Sequence, residues 1–143
     1  MVRIEEKSEI NASAKTVFNI LFEYVNYPRW SIGTEETKQI GEGKFWSKSK
    51  LGEVTTTRTE AIPNERLTFK SDGSPFSEVG EVITTKGDGV EVMVWGILRD
   101  DSMLEKVRKP TEEFVKSIKT YAEYVESGGN PDEYNKNELL TIQ

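Results

Sequence analysis

Few side chains in this sequence have the type and placement to do chemistry; the candidates are Arg58, Glu60 and Glu78 on strand-like segments, and Tyr121 on a helical one. Residues 53–62 alternate, so Val54, Thr56, Arg58, Glu60 and Ile62 share a face. If Val54 and Ile62 turn inward, Arg58 and Glu60 follow them, and the guanidinium fork can orient a ligand carboxylate or enolate. If that face meets solvent, the same two residues form an ordinary surface ion pair. The opposite row (Glu53, Thr55, Thr57, Thr59, Ala61) is scarcely more apolar, so both orientations stay open. Glu78 alternates with Phe76, Gly80 and Val82, while Val79 and Ile83 hold the other face. Buried without a partner it would have a raised pKa and could transfer protons; reaching water or a lysine, it is structural. No residue is assigned a catalytic part on this basis; Arg58, Glu60 and Glu78 are candidates only.

Composition narrows the chemistry further. The 143 residues hold no histidine and no cysteine. That excludes a Ser-His-Asp triad, a thiol nucleophile, a disulfide scaffold and nearly every zinc site. No metal and no cofactor is expected. Nineteen lysines and arginines against 25 acids give a net charge of −6. Such a balance argues against nucleic acid as a partner, whose phosphates call for cations. No apolar run approaches the ~20 residues that span a bilayer, so stable membrane insertion is not expected and a cytoplasmic protein is.

The elements that must position these residues follow from periodicity. Residues 2–10 alternate as a half-buried strand. Ser13 is the expected N-cap of a helix carrying Val17, Ile20, Leu21 and Tyr24, and Pro28 starts a short second helix that delivers Trp30. Six strands are expected at 34–40, 44–51, 53–62, 66–70, 76–86 and 90–98. Their connections are too short for crossover helices, so the pairing must be antiparallel and sequential. Asp88-Gly89 is expected to turn the last hairpin through positive φ. A final helix begins near Asp100 with the capping-box pattern Ser102…Glu105, and carries Met103, Val107, Phe114, Ile118, Tyr121 and Val125 on one stripe. Pro110 should kink or break it, and Gly128-Gly129 should end it. Residues 1–127 are then one domain and 128–143 a frayed tail, with only Leu139, Leu140 and Ile142 as anchors.

One strand, two short helices, six strands and a long helix pack compactly as an α+β fold, with a curved sheet and the helix across its concave face. Five segments in this order resemble the START/Bet v 1-like (SRPBCC) superfamily, in particular its polyketide cyclase/dehydrase and lipid-transport branch. They are residues 10–18, Tyr27-Pro28-Arg29-Trp30, residues 60–69, Gly87-Asp88-Gly89-Val90-Glu91-Val92 and residues 118–123. Together they span roughly residues 2–126. The resemblance implies a helix-grip fold, with a seven-stranded antiparallel sheet wrapped around the C-terminal helix and a cavity between them.

The cavity's expected wall is aromatic and apolar: Trp30, Phe45, Phe69, Trp95, Phe114, Ile118 and Tyr121, with Arg58 as the polar contact. Phe45 and Trp46 are neighbours, so only one of them points inward. The expected function is binding or transport of a small hydrophobic or amphipathic molecule, lipid- or polyketide-like, by a monomer or homodimer without catalysis. Two alternatives remain: a cyclase or dehydratase using Arg, Tyr and carboxylates, and a chaperone-activator-like module with a protein partner.

Overall fold

The computed structural model describes residues 2–50 and 52–141. β1 (Arg3–Ile10) leads into α1 (Ala14–Phe22), where the Ser13 hydroxyl accepts from the Thr16 N–H at 3.1 Å as the expected cap. A 3-10 turn (Tyr24–Asn26) and α2 (Tyr27–Trp30) follow, with Pro28 in the first turn of α2. Six strands come next: β2 (Thr34–Gly41), β3 (Lys44–Ser49), β4 (Gly52–Ile62), β5 (Arg66–Asp72), β6 (Phe76–Lys86) and β7 (Gly89–Leu98). Then come α3 (Leu104–Glu126) and a short α4 (Lys136–Thr141). The strands form one antiparallel sheet in the order β1-β7-β6-β5-β4-β3-β2. This is the helix-grip arrangement, with α3 as the gripped helix.

Alternation along each strand decides the two faces. In β7 the residues Val90, Val92, Val94 and Leu98 are buried on the concave side, while Met93, Trp95 and Ile97 form the outer row. α3 turns Val107, Val115, Ile118, Tyr121 and Ala122 toward this concave face. Its C-terminal half is tied down by polar contacts. Lys119 Nζ donates to the Glu9 carbonyl at 2.8 Å, and Glu123 accepts from the Asn11 N–H at 2.9 Å. Among the described residues the N-terminal half of α3 shows no comparable ties to β1, and open volume lies between it and the sheet.

Four local expectations are corrected. The Ser102–Glu105 capping box does not form. Instead the Asp100 carboxylate accepts from the Ser102 N–H at 2.9 Å and caps a 3-10 turn ahead of α3. Pro110 does not break α3. The hydrogen bond it forfeits belongs to the Lys106 carbonyl on an exposed turn that water can serve, and the Thr111 hydroxyl donates to the Val107 carbonyl at 2.7 Å. The last hairpin turns on Gly87-Asp88, with φ of 61° at Gly87. Gly89 serves another need, because a side chain there would strike the Ile10 carbonyl. Residues 130–136, placed in the expected frayed tail, are docked. Asn130 caps a 3-10 turn (Pro131–Glu133), and Tyr134 packs edge-on against Tyr121 and Tyr124 at 4.7 and 4.9 Å. Lys136 Nζ donates to the carbonyls of Ser31 and Thr34 at 2.7 and 2.8 Å. The polarity that suggested a tail holds one aromatic and one lysine with fitted partners. Leu51 and Ile142 lie outside the described residues, as do the side chains of Leu139 and Leu140.

Tyr134→Ala is expected to lower unfolding stability by about 3–5 kcal/mol, the range for deleting a large buried ring. A shift below about 0.5 kcal/mol in urea denaturation, the surface-substitution range, would show that the segment is not docked.

Candidate functional site

Between the concave sheet and the first half of α3 lies a cavity of about 220 Å³. Tyr24 and Tyr27 wall it from the 3-10 turn and α2, Phe69, Val79 and Val94 from the sheet, and Phe114 from α3. At its mouth Lys50 Nζ stands 3.9 Å from the Glu113 carboxylate. That pair is solvent-accessible and contributes little to stability.

The aromatic wall is a connected stack, which fixes its shape. Phe45 lies against Tyr24 with centroids 4.8 Å apart, Tyr24 against Tyr27 at 4.4 Å, and Tyr27 against Trp30 at 4.8 Å. Trp30 then meets Phe114 at 5.6 Å and Tyr121 at 6.0 Å. Pro28 and the short α2 set this up: one turn of helix puts Tyr27 and Trp30 on the side facing α3. Among the expected wall residues, Phe69 and Phe114 border the cavity with their rings in the core. Trp30, Phe45, Ile118 and Tyr121 are buried behind the wall and shape it without lining it. Phe45 is the inward neighbour; the Trp46 indole lies outside, donating to Glu53 at 3.1 Å. Trp95 borders the cavity through its place between Val94 and Gly96, but its ring belongs to the outer face. It covers Gly80, where a Cβ would sit 2.6 Å from the indole, and the Arg3 guanidinium lies 4.6 Å above it.

The two candidates on β4 part company. Arg58 faces inward opposite Phe69, but a β-bulge at Thr59 shifts the register before Glu60. The extra residue turns Glu60 to the outer face, where it pairs with Arg66 at 2.9 Å instead of Arg58. Contact with Arg66 pulls the Glu60 pKa down. Arg58 is not free to orient a ligand either. Its Nη2 donates to the Phe22 carbonyl at 2.7 Å, closing the C-terminus of α1, and its guanidinium lies 4.0 Å from the Phe22 ring centre. A cation is favoured at that helix end, whose last carbonyls lack intrahelical partners. Burial among the rings lowers the Arg58 pKa, and its Nε has no hydrogen-bond partner. Glu78 sits on the outer face, opposite Lys70 and Ile97, in a shallow polar groove with Thr57 and Arg99.

The carboxylate that does enter the cavity is Glu81. It is 4% exposed, lines the cavity, and its Oε1 has no hydrogen-bond partner. Its cross-strand neighbours are Leu67 on β5 and Val94 on β7, both apolar. Burial therefore drives its pKa up to about 8, although the charge of Arg58 pulls it part of the way back. The Tyr27 hydroxyl donates its single proton to the Leu21 carbonyl at 2.8 Å. Burial and then the charge of Glu81 hold the Tyr27 pKa well above the ordinary tyrosine range. The one signal for Glu81 in the sequence is its place between Val79 and Ile83, on a row that also carries Ser77 and Thr85.

Among the described residues no cluster of three or more acidic side chains could hold a metal ion, and no helix is long and apolar enough to cross a membrane.

No family model matches the chain, and no curated protein matches it in sequence. Solved structures match it in fold. A START superfamily protein from Mycobacterium smegmatis superposes with a TM-score of 0.70 at 16% identity, covering 86% of this chain and 98% of that one. Zhui aromatase/cyclase from Streptomyces sp. R1128 gives 0.73 at 15% identity, covering 90% and 99%. The Aha1 dimer from Colwellia psychrerythraea gives 0.71 at 19% identity, covering 86% and 97%. The chain therefore has the helix-grip fold of START-like (SRPBCC) proteins, as the sequence resemblance implied. A fold held in common by proteins with such different names does not by itself carry an activity.

Glu81 gives stability a pH dependence of known sign. Between the ordinary carboxylate value near 4.5 and about 8, the native carboxyl keeps a proton that the unfolded chain has lost. Stability therefore falls as pH rises through that window and levels off above it. Glu81→Gln cannot ionise and should lack this slope, so its stability relative to wild type should improve by on the order of 2–4 kcal/mol from pH 4.5 to 8. Parallel urea-denaturation profiles for the two proteins would mean that Glu81 is solvated.

Proposed function

We propose that this protein binds a small apolar or amphipathic molecule in the cavity between the sheet and α3, as a carrier or receptor. One observation carries the reading. A well-packed interior leaves few voids larger than a water molecule, whereas about 220 Å³ is left open here behind a rigid aromatic wall. Tyr24, Tyr27, Phe69 and Phe114 supply large apolar contact at low entropic cost, as small-molecule pockets do. The START-like fold of the neighbours supports the same reading.

Native mass spectrometry of gently purified protein, with solvent extraction of anything released, should show a defined mass excess. Val94→Phe puts a ring into the cavity. It should abolish uptake while changing stability by less than about 1.5 kcal/mol, because free volume accepts the added atoms. A Val94→Phe protein that binds the same molecule as tightly would place the ligand elsewhere.

A second reading, an acid–base enzyme of cyclase or dehydratase type, draws on the fold likeness to Zhui aromatase/cyclase. Its supporting observation is Glu81, a carboxyl poised near neutrality beside the Tyr27 hydroxyl in the cavity. On this reading Glu81 transfers the proton, while Arg58 closes α1 and Glu60 and Glu78 remain outside. Turnover of a bound substrate should then fall at least about 100-fold in Glu81→Gln, the scale of a lost general acid or base. Unchanged turnover would exclude Glu81 from the chemistry.

A further inference from the structure

We propose that Glu81 makes the cavity selective for uncharged ligands carrying an oxygen acceptor, such as a ketone, quinone or ester, to which its carboxyl donates a hydrogen bond. The inference rests on the ligand-binding reading above and adds the chemical class of the ligand.

Three observations converge on it. The first is that Glu81 lines the cavity with one oxygen unpartnered, and a buried polar atom left unpaired is unfavourable. A ligand that supplies the missing partner recovers that cost on binding. The second is the distribution of charge around the carboxyl. From α2 it meets the Tyr27 hydroxyl, whose proton is committed to Leu21, and from β4 the charge of Arg58. The 3-10 turn contributes Tyr24 to the same wall, and β5 and β7 offer only Leu67 and Val94. From α3 and the end of β3, Glu113 and Lys50 pair with each other at the mouth. The third is what this arrangement rejects. An anionic ligand would lie against Glu81 with no unpaired cation among the described residues of the wall, since Arg58 is bound to the Phe22 carbonyl and Lys50 is paired with Glu113. A cationic ligand would enter the field of Arg58 and require ionisation of a carboxyl that burial holds protonated at neutral pH. A neutral oxygen acceptor meets neither cost.

Four probes of similar shape separate these possibilities: naphthalene, 2-acetylnaphthalene, 2-naphthoate and 2-naphthylmethylammonium. Their affinities are to be measured by titration at pH 6.5 on the full chain, on Glu81→Leu and on Glu81→Gln. The ketone should bind about tenfold or more tighter than naphthalene, the scale of one buried hydrogen bond, and tighter than both ions. In Glu81→Leu the ketone's advantage should vanish while naphthalene binds undiminished. In Glu81→Gln, whose amide N–H still donates, most of the advantage should remain. Wild-type affinity for the ketone should fall as pH rises past about 8, and that of Glu81→Gln should not. Tightest binding by either ion, or a ketone advantage that survives Glu81→Leu, would overturn the assignment of Glu81 while leaving the cavity in place. Failure of all four probes, naphthalene included, would overturn the ligand-binding reading and this inference together.

Discussion

The constraint on which this structure depends is that a strongly curved sheet must have its concave face covered, and one helix is too narrow to cover it. α3 seals the end near β1, where Lys119 and Glu123 hold it to the Glu9 carbonyl and the Asn11 N–H. Toward its N-terminus a cavity separates it from the sheet. The chain meets that deficit with aromatics from outside α3: Tyr24, Tyr27 and Trp30, delivered by a 3-10 turn and a single turn of helix. Large flat rings fill a wedge efficiently but leave gaps where they end, and the cavity is such a gap. Its wall is rigid because every ring in it leans on another.

Placing Glu81 in that gap works against stability. Its sheet neighbours are apolar, and a leucine of similar length would satisfy them without stranding an oxygen. A buried polar group kept at a net cost, beside an unfilled part of the interior, is the kind of local inconsistency that marks a functional position. Arg58 shows the opposite case. It too is a partly buried charge on the concave row, but it closes α1 and stacks on Phe22. Its burial is explained by architecture. Two charged residues that look alike as inward-facing strand positions thus divide between scaffold and cavity: Arg58 is held by the Phe22 carbonyl and ring, whereas Glu81 borders the open volume.

The Thr59 bulge shows how little it takes to reassign a side chain. One extra residue in β4 turns Glu60 outward onto Arg66 while Arg58 stays in, although the two are separated by the spacing that normally keeps residues together. The same sensitivity runs through Trp95, whose strand position borders the cavity while its ring lies on the other side over Gly80.

Seven strands, a capped first helix, the short Pro28 helix and the long amphipathic helix were all legible from period, turn residues and connection length, because those signals are local and each element must hide its own apolar face. Sequential antiparallel pairing followed from loops too short for anything else, and the absence of histidine and cysteine limited the chemistry without any coordinates. The alternation that sets Glu81 on one face with Val79 and Ile83 was equally local, but it did not say which way that face turns. The tertiary structure alone decided the rest: that a bulge separates Arg58 from Glu60, that Trp30, Phe45, Ile118 and Tyr121 back the cavity instead of lining it, and that Tyr134 and Lys136 dock where a frayed tail was expected. The physical reason is the same in each case. Alternation says which residues share a face, but whether that face meets solvent, a ring or an empty volume depends on partners many residues away, and no local pattern encodes them.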